Sequence, residues 1–459
     1  MLRSLTLYQR LPVALQNLAC SWQGWRIQRR RYGNTYAAVE RAVLERSAWP
    51  AERLLEFRDA RLRSFVRHCA ETVPYYRRAF ASLGVDPAEI RTLADLSRLP
   101  LLSKRDLQEH TAAFLSEAAP ADRETAHTSG TTGSGLRFTT TTQALQEQWA
   151  TWWRFRGWHG IQPGTWCAYF GGRSVVPVDA RMPPFWRYNL PGRQILFSGY
   201  HMSRRDLHFY CEELRRRRPP WLHGYPSLLA LLAAHLLDAG GDLGYRPRWI
   251  TTGAENLLPQ QSELIRRAFG VNPLQHYGMA EGVANASQCE RGLLHVDEDF
   301  AAVEFLPVPG DPRSYRVVGA NLSNLAMPLL RYDPRDLVTL ADSCACGRSG
   351  RVIRSVDGRR EDYVVLGNGA RIGRLDHVFK DLAHVREAQI TQSAPGEMVV
   401  SIVRAESYTP ADEASLVREM RQRVGDARLE IVYKEALPRT ASGKLRFVVS
   451  TVPEGQLER

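Results

Sequence analysis

The sequence predicts an α/β protein, a large N-terminal domain with mixed sheets and flanking helices followed by a small α+β domain. Three observations carry this. Between about residues 120 and 355, short apolar runs alternate with helical stretches. Beyond Val356 strand and helix patterns follow one another closely over about a hundred residues, a length that folds on its own. The chain has 459 residues, 44% hydrophobic and 24% charged, which excludes a disordered or fibrous protein.

Taken in order, the chain divides at 1–110, 111–357 and 358–459. The first stretch reads as helical and packed on the large domain, with Leu54, Leu55, Leu62, Phe65, Val66 and Cys69 at helical spacing until Pro74 stops the run. Within it, Trp22, Trp25 and the run Arg29, Arg30, Arg31 fit either a membrane surface or a helix docked on the body. Docking is favoured, because charge and aromatics form no clean two-faced stripe. Apolar runs at 165–170, 194–197, 221–223, 248–252 and 274–277 read as strands, with helices at 226–239 and 259–269 between them. Such sheets bind ligands at the carboxyl ends of their strands. A joint at 358–360 leads to runs at 363–366 and 370–373 flanking Gly367-Asn368-Gly369, a hairpin signal. Further helix and strand patterns follow at 376–382, 385–392, 398–403, 412–424 and 429–433.

The balance of 61 Lys+Arg against 49 Asp+Glu leaves +12. Residues 1–50 alone hold eight arginines against Glu40 and Glu45. Only four of the cations are lysines, at 104, 380, 434 and 444, and arginine is used even where either residue would serve. That pattern reads as coding bias rather than selection for a polyanion, so no nucleic acid partner is expected. Seven cysteines, an odd number spread over a long chain, argue against a secreted disulfide framework. No 18 uncharged apolar residues run together. A soluble cytoplasmic chain without a removed signal is the expectation.

The sharpest local signal is Thr128-Ser129-Gly130-Thr131-Thr132-Gly133-Ser134-Gly135. Small residues let backbone N–H groups close on phosphate oxygens, and the hydroxyls add donors to the same anion. A flexible linker is the alternative, but the strand character of residues 138–142 immediately after favours a phosphate loop. Gly253-Ala254-Glu255 and Tyr277-Gly278-Met279-Ala280-Glu281 each follow a strand, so an aromatic face and carboxylates leave the sheet at its ligand end. Asp336 stands behind the turn Arg331-Tyr332-Asp333-Pro334-Arg335, where a carboxylate can take ribose hydroxyls. Near the C-terminus, Pro438-Arg439-Thr440-Ala441-Ser442-Gly443-Lys444 carries one of the four lysines on a Ser-Gly turn. Singly each has a bland reading as cap, core residue or turn; their joint order does not.

This order resembles the adenylate-forming ligase superfamily, and within it the phenylacetate–CoA ligase and capsular-polysaccharide-biosynthesis branch. The resemblance runs from about Leu99 to Phe447. It implies ATP and Mg²⁺ as cofactors, with Thr128, Ser129, Gly130, Thr131, Thr132 and Gly133 on the phosphates. Gly253, Ala254 and Glu255 would line the adenine, Tyr277 with Gly278 would stack on it, and Asp336 with Arg359 would hold the ribose. Glu281 would bind magnesium, and His223, Gly224 and Tyr225, at a strand end, match the acyl-pocket region. Glu361 falls where the family hinges a mobile C-terminal lid that carries Lys444, the cation expected to offset charge as a carboxylate attacks the α-phosphate.

Two departures from the family pattern stand out. Pro334-Arg335 precedes Asp336 where the family has Thr-Gly. The segment Leu366–His377 differs from the corresponding stretch of the CoA-using ligases, so CoA is one possible acceptor and an amine or hydroxyl the other. A second constellation, Cys289 and His295 with Cys344-Ala345-Cys346, offers three thiols and an imidazole, which fit a closed tetrahedral zinc site. Free buried cysteines are the alternative, and similar residues in part of the branch favour zinc. Trp149, Trp152 and Trp153 share one helix face and read as core packing rather than an aromatic wall for an aryl substrate.

The expected function is therefore activation of a small-molecule carboxylic acid as acyl-AMP and its transfer to an acceptor. The alternative is a non-catalytic nucleotide-binding or basic surface-docking protein. Peripheral membrane contact through residues 1–50 is not favoured, and the sequence leaves the acid and the oligomeric state open.

Overall fold

The computed structural model describes residues 8–127, 137–173, 175–177, 180–203, 205–359, 364–367, 371–372, 375, 378, 384–439 and 445–452. Helices α1 (Val13–Arg31), α2 (Tyr36–Arg46), α3 (Ala51–Thr72), α4 (Pro74–Leu83) and α5 (Lys104–Glu109) come first. Strands β1 (Arg123–His127) and β2 (Arg137–Thr141) precede α6 (Thr142–Trp158). Then follow β3 (Cys167–Gly171), β4 (Trp186–Asn189), β5 (Gln194–Ser198), α7 (Leu207–Arg217), β6 (Trp221–Gly224) and α8 (Pro226–Asp238). Next are β7 (Trp249–Thr252), α9 (Pro259–Phe269), β8 (Pro273–Gly278), β9 (Asn285–Gln288) and β10 (Leu294–Val296). Strands β11 (Ala302–Val308), β12 (Asp311–Ala320), β13 (Asp336–Ala341) and β14 (Val352–Arg359) follow without a helix between them. The chain closes with β15 (Val364–Val365), β16 (Arg371–Ile372), β17 (Val385–Ala394), β18 (Glu397–Arg404), α10 (Pro410–Val424), β19 (Arg428–Tyr433) and β20 (Val448–Ser450).

The described chain divides into two compact units, each discontinuous in sequence. One comprises Met1–Trp25, Gly164–Gln275 and Gly358–Arg459; the other comprises Arg26–Pro163 and His276–Asp357.

In the first unit the strand order is β4-β5-β3-β6-β7-β8. All neighbours are parallel except the edge pair β4–β5. Helices α7, α8 and α9 provide the crossovers that parallel strands require. Phe170, Phe197, Tyr210, Leu222, Leu228 and Ile250 form the centre of its core. Residues after 358 fold around a separate core that includes Ile390, Val400, Ile402, Leu416 and Met420. There the sheet order is β19-β18-β17-β20, with α10 against it. The expected hairpin is present as β15 and β16, Val364 opposite Ile372 and Val365 opposite Arg371.

In the second unit β1 and β2 pair antiparallel on either side of residues 128–136. Its larger sheet runs β8-β9-β10-β14-β13-β12-β11. This is an antiparallel stretch where the sequence suggested continued alternation of strand and helix. The run ending at Cys69 is α3, and Pro74 both stops it and opens α4, where its missing N–H costs nothing. Trp149 and Trp153 pack against the small cluster of Tyr36, Val43 and Ala150, as the core reading expected.

One buried charge network holds this unit. Arg154 of α6 donates from Nη2 to Asp297 Oδ1 at 2.7 Å and to Asp299 Oδ1 at 2.8 Å, and from Nη1 to Asp299 Oδ2 at 2.9 Å. Arg46 Nε donates to Asp299 Oδ2 at 2.7 Å. Asn285 and Ser287 of β9 both donate to Asp297 Oδ2, at 2.6 and 2.8 Å. Burial alone would raise the Asp299 carboxyl, but the Arg154 and Arg46 guanidiniums outweigh it and hold it well below the carboxylate range. At Asp297 burial wins and the carboxyl is raised.

Arg154→Met leaves Asp297 without a cation and Asp299 with Arg46 alone, so it is expected to cost about 3–5 kcal/mol at neutral pH. In the wild type the depressed pKa of Asp299 contributes stability present above about pH 4 and lost as pH falls through that range. In the variant the carboxyls that have lost Arg154 take up protons at higher pH than in the wild type as pH falls. The melting-temperature gap between the two proteins should therefore be widest at pH 7 and narrow on acidification, and an equal gap at both pH values would count against the assignment.

Candidate active site

In the first unit, two of the expected segments meet at the carboxyl ends of β6 and β7. Gly224 lies opposite Thr252, and Gly253 N donates to Gly224 O at 3.3 Å. A Cβ at Gly224 would fall 2.3 Å from Phe170 O, so only glycine fits there. His223 Nδ1 lies 2.7 Å from Thr251 Oγ1, which also accepts from Trp221 Nε1 at 2.8 Å. Burial pushes the Tyr225 hydroxyl up to about 12.

Ala254 takes a left-handed φ of 69°, turning the chain into Glu255. The Glu255 carboxylate accepts from Ser227 N (3.2 Å) and from Leu445 N (3.0 Å). Burial holds this carboxyl above its usual range against the lowering effect of Ser227, Arg439 and Leu445. Arg439 donates to Ser227 Oγ at 2.9 Å and pairs with Glu387. Arg439 and Leu445 also form an antiparallel bridge, so both are held beside Glu255.

In the second unit Tyr277 lies one residue before the end of β8, and its Oη donates to Asp336 Oδ2 at 2.7 Å. The expected adenine and ribose residues, 59 positions apart, are thus in contact. Arg335 adopts φ 65°, and its N–H donates to Asp333 Oδ1 at 2.8 Å. The position where the family pattern has glycine keeps the left-handed backbone that glycine adopts freely, here on an arginine. The turn bearing Glu281 is held by its backbone. Gln148 Nε2 donates to Met279 O at 2.9 Å, Asn321 Nδ2 donates to Glu281 O at 3.0 Å, and Gly282 has φ 69°. Glu281 itself is half-buried.

Cys289, His295, Cys344 and Cys346 converge in the same unit, their ligand atoms all within 4.8 Å of one another. Cys289 Sγ is 3.7 Å from Cys344 Sγ, and Cys346 Sγ is 3.2 Å from His295 Nε2. His295 Nδ1 faces Ser349 O at 3.3 Å, and burial lowers the imidazole pKa, favouring the neutral ring that can ligate. Three thiols and one imidazole in this arrangement fit a tetrahedral ion.

Thr128, Ser129, Gly130, Thr131, Thr132, Gly133, Glu361 and Lys444 lie outside the described residues, as does the side chain of Arg359. Sequence reading missed Ser227, Thr251, Gln148 and Asn321, single polar residues without a local motif. Gln148, for instance, finds its partner 131 positions away.

Residues 365–451 match the model of the CapK C-terminal domain. Over 97% of this chain and 99% of the relative, the sequence is 24% identical to Protein CapK of Staphylococcus aureus. It is 26% identical to a phenylacetate-coenzyme A ligase of Thermus thermophilus, over 87% of this chain and 97% of that one. The chain is similar to the CapK and phenylacetate-coenzyme A ligase branch of the adenylate-forming ligases. The protein shares its fold with 2-hydroxyisobutyryl-CoA ligase in the postadenylation state in complex with 2-HIB-AMP. The TM-score is 0.68 at 19% identity, covering 89% of this chain and 91% of that one. An open conformation of the same enzyme with 2-HIB-AMP and CoA superposes with a TM-score of 0.54 at 20% identity, covering 88% and 93%.

The Glu281 turn rests on a close approach, since a Cβ at Gly319 would fall 1.9 Å from Val283 O. At Gly282 space is ample, the nearest atom being 3.7 Å away, and only φ is unfavourable. Gly282→Ala is expected to cost about 1–2 kcal/mol, and Gly319→Ala more, because backbone must move. Thermal melting of both variants checks the order; a Gly319→Ala protein melting with the wild type would refute the close approach.

Proposed function

We propose that the protein activates a carboxylic acid as its acyl-AMP, releasing pyrophosphate from ATP, and then passes the acyl group to an acceptor. The observation that carries this reading is the bond from Leu445 N to Glu255, which ties the residue next to Lys444 to the loop at the carboxyl end of β7. In this reading Thr128–Gly133 cradle the phosphates, while Gly253, Ala254 and Glu255 line the adenine with Tyr277 and Gly278. Asp336, with Arg359, takes the ribose hydroxyls. His223, Gly224 and Tyr225 line the acyl pocket.

The acid oxygen attacks the α-phosphorus and the bond to the pyrophosphate oxygen breaks. Anion meets anion in this step, so Lys444 offsets charge that grows in the transition state. Glu281 would hold Mg²⁺, which supplies further positive charge to the phosphates. Residues 358–459 act as a lid hinged at Glu361, so that withdrawing Lys444 opens room for the acceptor. The acceptor then attacks the acyl carbon and AMP leaves. CoA is supported as acceptor by relatives named phenylacetate-coenzyme A ligases. The departure of the Leu366–His377 segment supports an amine or hydroxyl.

Exchange of labelled pyrophosphate into ATP, dependent on an added acid, tests the first half-reaction. Lys444→Ala should lower exchange by about 10²- to 10³-fold, yet still pass pre-formed acyl-AMP to the acceptor. No exchange across a broad panel of acids would favour a non-catalytic nucleotide-binding protein, and wild-type exchange by the variant would remove the lysine from the mechanism.

The Cys289, His295, Cys344 and Cys346 cluster would hold a structural zinc ion that clips β9 and β10 to the 344–346 loop. Metal analysis of chelator-free protein should find one zinc per chain, and Cys346→Ser should lose it. The melting temperature should fall with the metal, because binding free energy is folding free energy here. Protein purified without zinc and melting as before would sink the assignment.

A further inference from the structure

Helix α1 is docked the reverse way round for an amphipathic helix. Its inward face is polar: Gln16 accepts from Arg187 Nε at 2.6 Å, and Asn17 Oδ1 accepts from Tyr188 N at 2.9 Å. Ser21 Oγ accepts from Leu190 N at 3.2 Å and donates to Tyr188 O at 3.3 Å. Gly24 completes the seat, since a Cβ there would fall 1.8 Å from Asn189 Oδ1. The outward face is apolar. Leu15, Leu18, Trp22 and Trp25 fall on one stripe and are 46%, 64%, 61% and 40% exposed. Trp22 and Trp25 stack with ring centroids 5.0 Å apart. Beside them Leu190 is 59% exposed. A cleft of ≈ 580 Å³ opens there, lined by Leu18, Trp166, Leu190 and Ile195 together with Arg217 and Arg218.

A contiguous apolar stripe in water marks a surface that something covers, and the charge identifies the cover. Residues 8–39 contain no Asp or Glu. Arg10, Arg26 and Arg29 are exposed, and Arg26 and Arg29 continue the same stripe. A second copy would bring these cations against their own kind. Tryptophan and leucine flanked by arginine match the headgroup boundary of an anionic bilayer. Among the described residues no helix is long and apolar enough to cross a membrane, so the contact lies on the surface. We propose that α1 docks this protein on an anionic phospholipid surface, with Leu15, Leu18, Trp22 and Trp25 entering the headgroup boundary and Arg10 and Arg26 meeting the phosphates.

Sedimentation of the full chain with phosphatidylcholine vesicles, with and without phosphatidylglycerol, tests this. Binding should require phosphatidylglycerol and weaken with salt. Leu18→Ser/Trp22→Ser should lower it by about tenfold or more with melting and acid activation unchanged, since both side chains lie outside the docked face. Failure to sediment, undiminished binding by the double variant, or equal salt-independent binding to phosphatidylcholine alone would overturn it. So would self-association of the wild type that the double variant abolishes, which would assign the stripe to a second copy.

Discussion

The second unit depends on a guanidinium held between two buried carboxylates. Arg154 reaches both Asp297 and Asp299, and only a planar fork can do this from one side chain while a second arginine, Arg46, shares Asp299. Asp297 passes the constraint to β9 through Asn285 and Ser287. β9 in turn pairs with β8, Tyr277 opposite Ala286 and Gly278 opposite Asn285. The aromatic ring expected on adenine is therefore set by a charge network it does not touch. On the other side of the same segment, His295 of the thiol cluster stands two residues before Asp297. One short stretch, His295–Asp299, thus serves both the candidate metal centre and the anchor of the unit.

What could be read from the sequence follows what is apolar. The parallel strands β3, β5, β6, β7 and β8 were legible because alternation with helices leaves a hydrophobic signature. Strand β9 was not. Asn285, Ser287 and Gln288 are polar yet buried, satisfied by partners far along the chain, and no hydrophobic pattern marks such a strand. Strand β4 escaped for the same reason, its Arg187 and Asn189 being buried and polar. The thiol cluster was legible from residue type together with the family resemblance, which weighed against free buried cysteines. The turn before Asp336 was legible as a departure, and its cause lies in backbone conformation: Arg335 accepts a dihedral that its identity does not advertise.

In the first unit a single carboxylate links two parts of the candidate site. Glu255 leaves the sheet beside Gly224, yet its oxygens are taken by the amides of Ser227 and Leu445. Ser227 accepts from Arg439, which bridges to Leu445. Occupancy near Glu255 and the seating of Leu445 therefore draw on the same hydrogen-bonding capacity, and a change at one is felt at the other.

The polar seat of α1 has a consequence for solubility. Strand β4 is the last in its sheet, and an outermost strand offers unpaired N–H and C=O groups to any other extended chain. Here the outward N–H and C=O of Tyr188 are already taken by Asn17 and Ser21, and Gly24 brings the helix against Asn189. The helix thus works as a cap against strand addition. A chain cut after it would expose a bare sheet edge, and the first symptom would be intermolecular β-pairing.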